Sequence, residues 1–190
     1  VTIMTPNENR RVVITGCGAV TPIGTGKEKF WDALSRGESG VAPITGFDTS
    51  AHNVKIAAEV KDFQPEIWFD KKEIRRTDKV VQYAAAAADL ALKDSGIDLE
   101  KIDPEMFGVY VGSGEGGILT LEENARVMYE KGPNRVSPFM VPMMISNMPA
   151  AYIAIRYGAK GPNISVVSAC ASSINSMAEA YNCIKRGDAD

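Results

Sequence analysis

Short β-branched runs alternate along this chain with longer segments of helical periodicity, and glycine turns join one to the next. That alternation leaves few architectures open and predicts an α/β fold with a largely parallel sheet. Val12-Val13-Ile14-Thr15 reads as the first strand, closed by Gly16-x-Gly18. Glu28 to Arg36 follows as a helix carrying Phe30, Trp31 and Leu34 on one face and stopping at Gly37. Ile56 to Val60 reads as a second short strand in an otherwise turn-rich region from Gly40 to Pro65. The clearest helix is Thr77 to Ser95, with Thr77 or Asp78 as N-cap, Gly96 at C′, and alanines from Ala84 to Ala88 that predict close packing.

The second part of the chain repeats the alternation. Phe107 to Val111 reads as a strand, the cluster Gly112 to Gly117 as a turn, and Thr120 to Tyr129 as a helix. Gly132-Pro133-Asn134 then interrupts the chain, and a helix from Val141 to Tyr157 ends at Gly158. Ile164 to Val167 is a last short strand, with Ser168-Ala169-Cys170 at its C-terminal end. The helix after it carries Ile174, Met177, Ala178, Tyr181 and Ile184 on one face and is ended by Gly187.

With 190 residues, 45% hydrophobic and 24% charged, the chain reads as one globular domain or a large piece of one. A net charge of −3 and a pI near 5.3 give no reason to expect nucleic acid, whose binders combine clustered Lys/Arg with a basic balance. Arg10-Arg11 before Val12 to Val20 has the outline of a signal peptide, but Thr15, Gly16 and Gly18 interrupt it and Thr21-Pro22 closes it as a turn. No segment reaches the roughly 20 apolar residues of a membrane span, so no membrane association is expected. Residues 1–9 lack periodicity and are read as a leader or an expression remnant, leaving 10–190 as the folded domain. Cys17, Cys170 and Cys183 form no C-x-x-C pair and no even-numbered framework, which points to a reducing, cytoplasmic setting.

Cys170 is the residue with a chemical reading. It stands where a strand runs into the first turn of a helix, a position at which open α/β sheets place reactive groups. A helix N-terminus stabilises a thiolate, and its free N–H groups can bind the oxyanion formed when a thioester carbonyl is attacked. Ala169, Ala171 and Ser172 leave room for a substrate. A free cysteine is also a good small core residue, and residue pattern alone leaves both readings open. Gly112-x-Gly114-x-x-Gly117 has the spacing of a dinucleotide fingerprint, but the acidic residue expected about 20 positions later is missing. Those glycines are read instead as tight-turn and close-packing residues. No cofactor and no metal are expected.

Ser168-Ala169-Cys170-Ala171-Ser172-Ser173 resembles the nucleophile motif of the β-ketoacyl synthases, whose usual form is Thr-Ala-Cys-Ala/Ser/Thr-Ser/Thr. Other segments follow in that family's order. They are Arg11 to Gly18 with Thr21-Pro22-Ile23-Gly24, Phe47-Asp48-Thr49-Ser50, Gly112 to Gly117, Glu122-Glu123-Asn124, Asn147-Met148 and Gly161-Pro162. Ser137-Pro138-Phe139 with Val141-Pro142 points to the elongating, type II branch. The resemblance covers Arg10 to Asp190.

The resemblance implies a thiolase-like fold, of which this chain would be the N-terminal half of a five-layer α-β-α-β-α architecture, acting as a homodimer. It implies that Cys170 accepts an acyl chain from acyl carrier protein, after which decarboxylation of malonyl carrier protein supplies the attacking carbanion. Two histidines and a lysine assist in the family, and all lie in the second half, so the chain looks truncated or split at Asp190. His52, the single histidine, matches none of them and reads as a solvated loop residue. The resemblance places Met140 and Val141 at the acyl pocket or dimer interface, with Met143, Met144 and Met148 as core. Glu115 stands where the type II pattern has an apolar residue beside the growing chain, and a carboxylate buried there would cost several kcal/mol unless paired or protonated. Two alternatives share the fold. A thiolase-type acyltransferase normally has a different cysteine context, and a chain-length-factor-like subunit lacks the cysteine that is retained here.

Overall fold

The computed structural model of the chain describes residues 10–190; the leader expected at residues 1–9 lies outside them. In chain order the elements are β1 (Val20–Thr21), β2 (Gly24–Thr25), α1 (Lys27–Ser35), β3 (Ala42–Pro43), β4 (Ile56–Ala57), α2 (Lys71–Ile74), α3 (Lys79–Ser95), β5 (Val109–Gly112), α4 (Ile118–Lys131), α5 (Met140–Met144), α6 (Met148–Tyr157), β6 (Asn163–Val166) and α7 (Ser172–Arg186). They form two compact units, residues 15–68 with 86–96, and residues 10–14 with 69–85 and 97–190.

The smaller unit is organised on the second part of α3. A Cβ at Gly16 would meet the Ala91 carbonyl oxygen at 2.2 Å, and one at Gly18 the Ala87 carbonyl oxygen at 2.0 Å, so this segment lies directly on the helix backbone. That is the close packing the alanine run predicts. Asp94 accepts the Cys17 N–H at 2.9 Å and pairs with Lys27. The hydrogen bond from Lys27, with that of Cys17, holds the Asp94 carboxyl below the usual carboxylate range. The turn after β3 is clasped by Glu59, which accepts from the Thr45 N–H and hydroxyl and from the Gly46 N–H.

The larger unit is centred on β5 and β6, which pair in parallel with Val109 opposite Asn163 and Gly112 opposite Val166. Helices α6 and α7 both pack on this pair, and Val109, Ala150, Ile153, Ala154 and Cys183 are buried there. Gly158, at φ +69°, ends α6, and Gly187, at φ +84°, ends α7, as the sequence predicts.

Several expectations are corrected. The sheet is less parallel than the alternation predicts, because β1–β2 and β3–β4 are antiparallel pairs and β5–β6 is the one parallel pair among the described residues. Val12 to Thr15 forms no strand: no described segment supplies it a hydrogen-bonding ladder, and Val13 and Ile14 are exposed. The strand expected over Ile56 to Val60 is reduced to Ile56–Ala57 for the same reason, since its partner is only two residues long. In α1 it is Ala33 that is buried, while Trp31 and Leu34 face solvent.

The helix expected from Val141 to Tyr157 is two helices. Pro149 cannot share a helix with Ile145, because its ring would strike the carbonyl four residues back. The chain accordingly turns extended at Ile145 (φ −68°, ψ 140°) and restarts with Pro149 in the first turn of α6.

The predicted apolar face of the last helix is also inverted. Ser172, Ser176 and Cys183 are the buried residues of α7, and at 100° per residue they lie opposite Ile174, Met177 and Tyr181, which are exposed. The close approach of β5 selects the small face. A Cβ at Gly112 would come within 2.3 Å of the Ser172 carbonyl group, a separation that a bulky side chain between strand and helix would not permit.

Candidate active site

Strand β6 ends at Val166, and the chain then turns through Ser168 into one 3-10 turn, Ala169–Ala171, that runs directly into α7. Ala169 is the one non-glycine residue with positive φ among the described residues, at +50°. Such a conformation costs about 1–3 kcal/mol and persists only where the surroundings impose it. They do so here with one side chain. The Ser172 hydroxyl accepts from the Ser168 N–H at 2.9 Å and donates to the Ala169 carbonyl at 2.7 Å, while Asn175 Nδ2 donates to Ser168 Oγ at 2.7 Å. Ser172 is 3% exposed. The elbow carries Cys170 out to solvent, whereas Cys183 is buried on the inward face of α7; Cys17, also exposed, belongs to the smaller unit.

The glycine cluster after β5 lines this elbow on one side and α5 on the other. A Cβ at Gly114 would lie 3.7 Å from Ala169, an ordinary contact, and Gly112 is pressed on Ser172. Gly116 (φ +69°) and Gly117 run against the carbonyls of Met144 and Met143, and the Gly117 N–H donates to Met144 at 2.8 Å. The close-packing reading therefore holds for Gly112, Gly116 and Gly117, while at Gly114 a side chain would find room.

Of the pocket residues named from the sequence, Ala169 lies at the elbow and Glu115 follows Gly114 on the facing loop. Glu115 is exposed, so the desolvation cost expected of a buried carboxylate does not arise in this chain. Met140 is half-buried and Val141 exposed on α5. A cavity of about 330 Å³ beside α5 is lined by Val81, Phe139, Pro142, Met148 and Tyr152 rather than by Met140 or Val141, which turns Met148 from a core residue into a wall. Met143 and Met144, expected as core, are half-buried. His52 is exposed in a loop of the smaller unit, its ring edge-on to Phe47 at 5.4 Å.

Three features of the larger unit go beyond what the residue pattern predicts, the second of them extending the predicted Asp78 cap. The first is the Ser172 clasp, hidden because Ser172 reads only as a small neighbour. The second is a buried polar chain. Asp78 caps α3 through Val80 N–H at 3.1 Å, and its other oxygen accepts from the Thr120 N–H at 3.1 Å and hydroxyl at 2.6 Å. It thereby serves as the cap of α4 as well, whose own N-cap, Gly117, has no side chain. Asn124 extends the chain, donating to the Thr120 carbonyl at 2.8 Å and accepting the Ser137 N–H at 2.9 Å.

The third is a basic run. Lys71, Lys72, Arg75, Arg76 and Lys79 are all exposed, and none forms an ion pair among the described residues. Arg76 lies over the Phe139 ring at 4.4 Å, so the run borders the apolar cavity. Across the same cavity the Tyr152 hydroxyl donates to Glu73 at 2.7 Å, and burial together with that bond pushes the Tyr152 phenol up to about 12. The spacing Lys-Lys-x-x-Arg-Arg was visible in the sequence, but nothing there set it beside Phe139.

Comparison with known proteins gives the arrangement a family context. A family model described as the N-terminal domain of β-ketoacyl synthases matches residues 9–190. The 3-oxoacyl-acyl-carrier-protein synthase 2 of Staphylococcus aureus (strain COL) is 45% identical over 184 residues, 97% of this chain and 44% of the relative. That of Coxiella burnetii is 44% identical over 96% of this chain and 44% of its own length. Among solved structures, the ishigamide ketosynthase/chain length factor superposes with a TM-score of 0.88 at 30% identity, over 95% of this chain and 45% of that one. The fold is thus the thiolase-like α/β fold, and the chain spans a little under half the length of the curated relatives it matches.

Proposed function

The chain belongs to the β-ketoacyl synthase family, and from that premise we propose that Cys170 is the acyl-accepting nucleophile of an elongating 3-oxoacyl-acyl-carrier-protein synthase. In this reading Cys170 takes the acyl group from acyl carrier protein as a thioester. Decarboxylation of a malonyl group on a second carrier then supplies the carbanion that lengthens the chain by two carbons. The two histidines and the lysine of the decarboxylation step belong to the complete protein, which works as a homodimer in the cytoplasm. The observation that carries the reading is the placement of Cys170, exposed on a strained elbow at the N-terminus of a 15-residue helix. Backbone N–H groups there can meet the oxyanion of a tetrahedral intermediate.

Limited iodoacetamide treatment of the complete protein, read by mass spectrometry, tests that placement. Cys170 should be modified at least about tenfold faster than Cys17, and Cys183 should be protected by burial. Preferential modification of Cys17 would remove the assignment.

The carrier has to bring its thioester to this elbow, and the exposed run Lys71, Lys72, Arg75 and Arg76 beside Phe139 suits an acidic docking face. Reversing Lys72 and Arg75 to glutamate should raise KM for carrier-borne substrates roughly tenfold, with the effect shrinking in high salt. Turnover of a small pantetheine thioester should be unchanged; an equal loss on both substrates would place the run elsewhere in the mechanism.

Glu115, on the loop facing Ala169, bears on chain length. Replacing it with isoleucine removes a charge that an apolar chain must pass, and Glu115→Ile should shift preference several-fold toward longer acyl primers. An unaltered preference across a primer series would take Glu115 away from the acyl path.

A further inference from the structure

We propose that Ser172 is a positioning residue for acyl transfer: its one hydroxyl sets the orientation of the Ala169–Cys170 peptide and thereby aims the Cys170 N–H at the developing oxyanion. The proposal rests on Cys170 being the acyl acceptor.

The geometry is explicit. The Ala169 carbonyl accepts two hydrogen bonds from Ser172, one from its backbone N–H and one from its hydroxyl at 2.7 Å, so this carbonyl points toward the start of α7. A trans peptide is planar, with its N–H directed opposite to its C=O. The Cys170 N–H therefore points away from Ser172. The peptide could relax by returning Ala169 from φ +50° to an ordinary conformation, which would swing that N–H out of place. Ser172 resists the relaxation from both sides, because the same oxygen also accepts the Ser168 N–H at 2.9 Å.

Two further contacts keep the clasp in register. Asn175 Nδ2 bonds Ser168 Oγ at 2.7 Å, and the β5 backbone at Gly112 leaves no room for Ser172 to withdraw. Ser172 is buried and does not reach the reacting atoms, so its influence passes through the backbone of Cys170.

Two reactions of the same sulfur separate this role from a general effect on the fold. Alkylation by iodoacetamide is a displacement at carbon and forms no oxyanion, whereas transfer from an acyl thioester passes through a tetrahedral oxyanion. Both rate constants would be measured at Cys170 across pH in the complete protein, as Ser172→Ala and as Ser172→Thr, which keeps the hydroxyl. Ser172→Ala should lower the acylation-to-alkylation ratio by about tenfold or more, leave the midpoint of the alkylation pH profile in place, and be restored toward the parent ratio by Ser172→Thr.

If both rates fall together, or the ratio is unchanged, the clasp is merely structural and the proposal fails. If Ser172→Ala does not fold, Asn175→Ala decides. Asn175 is exposed, and loosening Ser168 from outside should lower the ratio about threefold, whereas an unchanged ratio overturns the proposal. Should the unaltered protein take no acyl group on Cys170 at all, the nucleophile assignment has failed rather than the role of Ser172.

Discussion

Replacing Cys170 by alanine is expected to abolish acyl transfer and condensation, with a fall of at least about a thousandfold and no loss of stability. The size follows from the chemistry: covalent catalysis divides the reaction into two steps, and without the sulfur there is no acyl-enzyme to attack. The stability expectation follows from the fold. Cys170 is exposed, and the hydrogen bonds that hold the elbow run between Ser168, Ala169, Ser172 and Asn175, past the cysteine side chain. Mass spectrometry after incubation with acyl carrier protein should show an acyl adduct on the parent protein and none on Cys170→Ala, with matching thermal midpoints. An adduct that survives the substitution would move the nucleophile to another residue. The 190-residue chain alone should form no β-ketoacyl product, since the enolate released by decarboxylation needs donors of its own and His52 sits in an exposed loop against Phe47. Product formation by this chain alone, at a rate comparable to a whole synthase, would show that the decarboxylation groups are already present in it.

Asp78→Ala is expected to destabilise the larger unit by about 3 kcal/mol, the largest stability effect of any single side-chain truncation proposed for this chain. Two helix N-termini lose their cap at once, each worth about 1 kcal/mol, and the buried Thr120 hydroxyl is left without its acceptor at a further cost of about 1 kcal/mol or more. Gly117 offers no compensation: it has no side chain, and a Cβ there would meet the Asp78 carboxyl carbon at 2.9 Å. Denaturant unfolding measures the loss, and hydrogen exchange locates it, with the Val80 and Thr120 amides losing protection together. Asp78→Asn, which keeps one acceptor oxygen, should cost roughly half as much. A change under 0.5 kcal/mol in Asp78→Ala would mean that solvent replaces the carboxylate at both helices.

Local signals in the sequence predict the structure where one backbone rule dominates. Gly96, Gly158 and Gly187 all adopt positive φ after helices, and Asp78 caps α3 as its position before the apolar run predicts. Gly112, Gly116 and Gly117 read as packing residues, but their partners, Ser172 on one side and Met143 and Met144 on the other, are 26 to 60 residues away, and no local rule selects them. Pro149 was present to split the helix, yet apolar periodicity on both sides of it masked the break.

The amino-acid sequence by itself determined the main helices with their glycine ends and the family, and it singled out Cys170 as the candidate nucleophile, because the strand, small-residue turn and helix around it form a local motif. What only the tertiary structure decided is which faces are used and how the turn that carries Cys170 is held. Helix α7 buries Ser172, Ser176 and Cys183 and leaves its apolar stripe exposed, because the β5 backbone at Gly112 comes too close for a larger face. For the same reason a serine that looks like a spacer becomes the clasp of a strained elbow: periodicity tells which residues share a face, but only the packing distance tells which face fits.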